Sequence, residues 1–165
     1  MINWYKKVVF ENYANFNGRA RRSEYWYYTL ATIIISIILM ILDGTLGLKF
    51  GPGGSSGILN SIYSVLVIIP GLAVSVRRLH DIGKSGKLLL VYYIILIALG
   101  VIMVTSGLFA FLAGNLTALG VGFFVPLLLI LAMSIYLIVL FCTEGTRGEN
   151  KYGPDPKAVD ELETA

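Results

Sequence analysis

Residues 88–143 read LLLVYYIILIALGVIMVTSGLFAFLAGNLTALGVGFFVPLLLILAMSIYLIVLFCT, without one Asp, Glu, Lys, Arg or His. A membrane-crossing helix needs about 20 mostly apolar residues, because the hydrocarbon core is ~30 Å thick and each helical residue rises ~1.5 Å. The run is long enough for two crossings joined by a tight turn. Two further uncharged blocks, residues 25–42 and 58–76, each suffice for one. The chain reads as an all-α polytopic membrane protein, a four-transmembrane-helix bundle with an N-terminal interfacial amphipathic helix.

Composition agrees. With 56% hydrophobic and 14% charged residues and a mean hydropathy of +0.77, the chain is poorer in charge than soluble domains. The single cysteine, Cys142, allows no intrachain disulfide and no multi-cysteine metal site, and its place at the end of the last run suggests a buried, inert thiol. Charged residues continue to Glu24 and no small-x-small exit site follows the first apolar run, so the N-terminus does not read as a cleavable signal.

Of the thirteen Lys and Arg, all but Lys49 fall in three segments: Lys6, Lys7, Arg19, Arg21 and Arg22; Arg77, Arg78, Lys84 and Lys87; Arg147, Lys151 and Lys157. Positive charge flanking spans marks the cytoplasmic side, so both termini and the 77–87 loop are expected in the cytoplasm. The same rule explains the net charge of +3. No basic-aromatic motif of an RNA or DNA reader is present, and nucleic acid is not expected as a partner.

Three parts follow. Residues 1–24 are a cytoplasmic interfacial helix and basic lead-in; residues 25–143 are the membrane domain, with spans at about 25–43, 58–76, 88–112 and 117–142; residues 144–165 are a polar tail, acidic and expected to be mobile over its last nine positions. On a helical wheel of residues 3–16, Trp4, Tyr5, Val8, Val9, Tyr13 and Phe16 oppose Lys6, Lys7 and Glu11. That face suits either the lipid interface or packing beneath the bundle. Ser23 is a candidate N-cap for the first span, with Glu24 in its first turn and Trp26, Tyr27 and Tyr28 as an aromatic belt. The Gly- and Ser-rich residues 44–57 read as a flexible external loop, and Pro70-Gly71 as a kink. A turn at Gly114-Asn115 leaves two full spans; Thr105-Ser106-Gly107 is the alternative. The small-residue ladder Ala110, Gly114, Ala118, Gly122 straddles the first turn, so ladder and turn cannot both hold.

The third and fourth spans carry no ionisable relay, and Asp43 lies at a span end, which argues against an ion-coupled transporter and leaves a pore only through oligomers. Chemistry is confined to V-R-R-L-H-D-I-G-K-S-G-K, residues 76–87. Asp81 stands four residues after Arg77 and three after Arg78, within reach of either. Gly83 suits a helix C-cap and Ser85 an N-cap for the next span. Arg77, Arg78, Lys84, Ser85 and Lys87 thus form a candidate site for an anionic lipid headgroup. The plainer reading is orientation charges and two caps. Gly83-Lys84-Ser85 is not a P-loop, since arginine stands at position 78 where glycine is required and a membrane helix replaces the strand. His80 lacks a second metal ligand and a nucleophile to activate. No catalytic residue, metal site or cofactor is assigned.

Three segments carry a likeness. Phe16-Asn17-Gly18-Arg19-Ala20-Arg21-Arg22-Ser23-Glu24-Tyr25-Trp26 follows F-x-G-R-x-x-R-x-E-[YF]-W. Arg77 to Gly86 follows R-R-L-H-D-x-G-x-S-G, and Gly145 to Pro156 follows G-T-x-G-x-N-x-Y-G-x-D-P. In this order around four spans, the chain resembles the bacterial integral-membrane family known as domain of unknown function 805, departing from its pattern at Lys87-Leu88. The resemblance implies a bacterial inner membrane location and no activity. Since topology puts all three motifs on one face, Arg19, Arg22, Glu24, Arg77, Arg78, His80, Asp81, Asn150, Tyr152 and Asp155 are expected to converge in one polar cluster. The functional expectation is an envelope-associated interaction or scaffolding protein with a membrane-protein partner or a second copy of itself. A binder of anionic lipid or another phosphate-bearing ligand is the alternative; a membrane enzyme using His80, or an oligomeric pore, comes third.

Overall fold

A computed structural model describes residues 1–158 of the chain. A short helix α1 (Ile2–Lys6) precedes four long ones: α2 (Arg22–Thr45), α3 (Ile58–Asp81), α4 (Lys87–Leu112) and α5 (Leu116–Cys142). At ~1.5 Å per residue, even the 24-residue α2 exceeds the hydrocarbon core in length. Its surface carries exposed Ile33, Ile37, Ile38 and Ile41, and α3, α4 and α5 are likewise apolar outside. Such surface is stable against lipid tails, and the intrahelical hydrogen bonds satisfy most of the backbone without water. The protein is a polytopic integral membrane protein with four spanning helices.

The helices belong to two compact units, one of residues 1–83 with the segment from Glu144 onward, the other of residues 84–143. In the first unit α2 and α3 run antiparallel. At one end Asp43, almost wholly buried, accepts the N–H groups of Leu59 and Asn60, each at 3.0 Å. It therefore caps α3, whose own N-cap residue, Gly57, has no side chain to do so. In the intervening loop β1 (Lys49–Phe50) pairs antiparallel with β2 (Ser56–Gly57) across a 3-10 turn at Pro52–Gly54.

Pro70 lies inside α3 and is fully buried. Having no N–H, it leaves the carbonyl of Leu66 without its helical donor. The Tyr13 hydroxyl supplies one at 2.7 Å, and the Tyr28 hydroxyl donates to the adjacent Val67 carbonyl at 3.0 Å. The helix is thus braced at its proline by two tyrosine hydroxyls. The bracing also turns Tyr28 inward, away from the belt that exposed Trp26 and Tyr27 do form.

The N-terminal segment is shorter than its wheel suggested. A π-helical turn, Lys7–Glu11, follows α1 and ends the helix there, leaving Phe16 outside it and exposed. Val8 is completely buried with Ala20, Tyr28 and Val74, while Tyr5 stacks on Tyr28 at 6.0 Å and shares a 3.1 Å hydrogen bond with Tyr63. The apolar face is thus turned onto α2 and α3. Helix α2 starts at Arg22 with Arg21 as N-cap, so Ser23 sits in the first turn rather than capping it.

In the second unit α4 and α5 form an antiparallel hairpin. The chain reverses at Gly114 (φ 64°), and the Asn115 side chain caps α5 by accepting the Ala118 N–H at 2.9 Å. The ladder from Ala110 to Gly122 is therefore divided between two helices, and Gly122 serves a different end. Its carbonyl accepts from the Ser106 hydroxyl at 3.1 Å, and a Cβ there would strike that side chain. The N-cap of α4 is Gly86 rather than Ser85, whose hydroxyl nonetheless accepts the Lys87 N–H at 3.3 Å. Cys142 is exposed, not buried, because it falls on the outer side of the last turn of α5. The acidic chain end from residue 159, expected to be mobile, lies outside the described residues.

The Asp43 cap can be tested by stability. Asp43→Ala should cost about 1–2 kcal/mol, the usual worth of a lost cap. Gly57→Ala should lower the thermal midpoint in detergent as well, because its Cβ would overlap the Asp43 carboxylate. Unchanged midpoints in both variants would contradict the cap.

Candidate functional site

Helix α3 ends with Arg77, Arg78, His80 and Asp81 within about one turn, so these side chains leave it in different directions. Arg78 is wholly buried and Arg77 nearly so. A buried cation is tolerated only with a partner, and each has one. Arg77 Nη1 lies 2.6 Å from Glu24 Oε1, pinning the first turn of α2 to the last turns of α3. The Nε and Nη2 of Arg77 have no hydrogen-bond partner among the described residues. Arg78 pairs with Asp81 one turn on, and also reaches the Ala20 carbonyl at 3.4 Å. The backbone N–H of Ala20 in turn donates to the Arg77 carbonyl at 3.0 Å.

Asp81 is the hub. Its second oxygen takes Arg19 Nε at 3.0 Å, so one carboxylate holds two arginines. The rest of the Arg19 guanidinium is spent on the tail: Nη1 donates to the Gly148 carbonyl at 2.6 Å and Nη2 to that of Thr146. The Asp81 backbone carbonyl accepts both the N–H and the hydroxyl of Thr146, at 2.9 and 3.0 Å. A Cβ on Gly145 would overlap the Asp81 carboxylate, so the tail passes at backbone distance. Glycine is required there for space.

The tail motif closes over His80. Asn150 Nδ2 donates to the His80 carbonyl at 3.1 Å and to Thr146 Oγ1 at 2.8 Å. The Tyr152 ring stacks on the imidazole, with centroids 3.8 Å apart and planes within 5°. His80 Nδ1 lies 3.1 Å from the Gly18 carbonyl. Asp155 folds the tail on itself by accepting the N–H of Lys157 and that of Gly148, both at 3.0 Å. Those backbone donors, Lys157 first, hold its carboxyl below the usual range. Exposed Glu144 is also lowered, chiefly by its hydrogen bond from the Lys157 ammonium at 3.0 Å, and Arg22 adds a looser contact at 3.6 Å.

All ten residues expected to converge belong to this network, which joins α2, α3, the 17–21 segment and the tail. Thr146, Gly145 and the carbonyls of Gly18 and Gly148 also belong to it and were missed, although Gly145 and Thr146 open the third motif. The headgroup set does not form as expected. Arg77 and Arg78 are buried against acids and so are closed to a lipid phosphate, whereas Lys84, Ser85 and Lys87 are exposed. Helix packing decides this, since α2 presents Glu24 and the end of α3 presents Asp81 to the two arginines. No group of three His, Cys, Asp or Glu side chains placed to hold a metal ion occurs among the described residues.

Two outcomes follow. Asp81→Asn removes a buried charge from beneath two arginines and should destabilise the fold by about 3–5 kcal/mol. Gly145→Ala should release the tail with a smaller loss, read as the disappearance of the His80–Tyr152 ring-current shift in NMR. For pH the sign is fixed by a lowered pKa in the folded tail. The Asp155 contribution is complete above the ordinary carboxylate value of ~3.9 and is lost as pH falls through the lower folded value. The same ring-current shift should therefore survive at pH 5 and fade in strong acid, with Asp155→Asn lacking that acid transition.

Comparison of the sequence with known proteins finds a family of unknown function and relatives named as inner membrane proteins. A family model described as "Protein of unknown function (DUF805)" matches residues 13–154. The inner membrane protein YhaH of Escherichia coli K12 is 36% identical over 94% of this chain and 98% of its own length. The inner membrane protein YhaI of the same strain is 35% identical over 94% and 97%, and the uncharacterized protein YiiR is 32% identical over 88% of each chain. No solved structure matches. The three motifs that build the network all begin within the matched region, and the chain belongs to the DUF805 family of proteins of unknown function.

Proposed function

We propose that the protein is an interaction or scaffolding component of a bacterial inner membrane, with both termini and the motif network on the cytoplasmic face. The observation that carries this reading is the pairing of the buried charges with one another. Arg19, Arg77 and Arg78 are each engaged by Glu24 or Asp81, so the network holds a surface in shape rather than presenting reactive groups. Above it the tail is locked by Thr146 and Asn150 and leaves Arg147, Glu149 and Lys151 exposed. A preorganised polar surface of this kind lowers the ordering cost of docking. The orientation rests on the basic residues flanking the spans, and the location on the inner membrane relatives. The reading assigns no catalytic step to His80, whose ring is covered by Tyr152.

The test has two parts. Single cysteines at Lys151 and at Lys49, in a Cys142→Ser background, should differ in labelling by a membrane-impermeant maleimide applied to intact cells, with only the position-49 thiol modified. A photo-cross-linker at Lys151 should then give one discrete adduct, with a partner or with a second copy of the chain, that Asn150→Ala abolishes without loss of folding. Labelling of both thiols would overturn the orientation. The absence of any adduct that depends on Asn150 would overturn the docking role.

A further inference from the structure

At the end of the α2–α3 pair remote from the motif network, a cavity of ≈ 350 Å³ lies between the last turns of α2, the β1–β2 hairpin and the start of α3. That volume falls within the ~300–1,000 Å³ typical of small-ligand sites. Its lining joins one acid and one base, Asp43 and Lys49, with Ser55, Ser56, Asn60 and Met40. Asp43 already accepts the N–H groups of Leu59 and Asn60, so the helix start does not itself call for an anion there. The Asn60 amide oxygen, Oδ1, is buried and accepts no hydrogen bond among the described residues. A buried acceptor in that state is costly and calls for a donor from outside the chain. Lys49 is exposed, and its Cβ and Cδ pass 3.5 Å from where a Cβ on Gly54 would stand. Its ammonium makes no ion pair among the described residues.

We propose that this cavity binds a phosphoethanolamine group, its ammonium donating to Asn60 Oδ1 on the Asp43 side and its phosphate meeting Lys49. A zwitterion presents one charge to each of the two ionised residues, whereas a purely anionic group would set unmatched charge against Asp43. The donor that Asn60 Oδ1 requires narrows the choice further. A primary ammonium carries N–H donors, and a quaternary one carries none. The same chemistry is offered by a lipid headgroup and by a soluble phosphoethanolamine ester. Met40 on the wall, and Leu46 and Phe50 in the adjoining chain, are apolar and exposed, which suits a headgroup whose acyl chains run along α2. None of these residues belongs to the motif network, and the site stands whether or not the docking reading holds.

Two pairs of probes test this on the full chain. Phosphatidylethanolamine and phosphatidylcholine, at equal content in nanodiscs, are scored as lipid retained in native mass spectra. Soluble phosphoethanolamine and phosphocholine are titrated into the detergent-purified protein by calorimetry. In at least one pair the ethanolamine form should bind about tenfold tighter than its trimethylated counterpart, the difference expected for one hydrogen bond to a charged group. Asn60→Ala, which keeps the backbone N–H bonded to Asp43, should abolish that preference. Lys49→Ala removes an exposed side chain and should weaken both forms several-fold with the thermal midpoint unchanged. Preference in the lipid pair alone identifies a headgroup site, and in the soluble pair alone a soluble ester. Equal binding of the two forms, no binding of either, or a preference that survives Asn60→Ala in a chain of unchanged midpoint overturns the proposal.

Discussion

A carboxylate in a low-dielectric setting must be balanced or it will not stay charged, and in the first unit that constraint falls on Asp81. Two arginines from different parts of the chain converge on it, one from its own helix and one from the segment before α2. The second of these also grips the tail through main-chain carbonyls. Ion pairing at one residue therefore fixes where three separate pieces of chain must meet. Glu24 and Arg77 repeat the arrangement between α2 and α3.

The opposite end of the α2–α3 pair uses another acid in another way. The two oxygens of Asp43 take the N–H groups of Leu59 and Asn60 in the first turn of α3. Each acid sits against a glycine whose missing side chain makes the room, Gly57 for Asp43 and Gly145 for Asp81. Between the two ends, the tyrosine hydroxyls at Leu66 and Val67 answer the proline in α3. Inside a bilayer no water would do so, and an unmet carbonyl there is costly. The first unit is thus held at three levels by polar contacts, while its outer surface stays apolar.

The number and type of spanning helices were legible because an uncharged run of sufficient length has few other homes. The turn chemistry of Gly114-Asn115 was legible too, being local. What sequence spacing could not supply was the direction of each side chain. Arg77 and Arg78 are neighbours in the chain, and the placement of Glu24 and Asp81 determines that both turn inward and are paired. Tyr28 was read with Trp26 and Tyr27 because all three are aromatic at a span start, yet one-third of a helical turn separates a lipid-facing ring from a buried one. The role of Thr146 and Gly145 is invisible in local spacing, since their partner Asp81 lies more than sixty positions earlier.

Thr146 returns the chain to the residue it left at Asp81, so the departure and re-entry points of residues 84–143 are stitched to each other within the first unit. Topologically the α4–α5 hairpin is an insertion into a framework that already closes on itself. Loop-closure entropy grows only slowly with length, so such a framework tolerates large changes in what is inserted once its two ends are joined. The joint between Asp81 and Thr146 thus closes the first unit across the residues that lie between them in sequence.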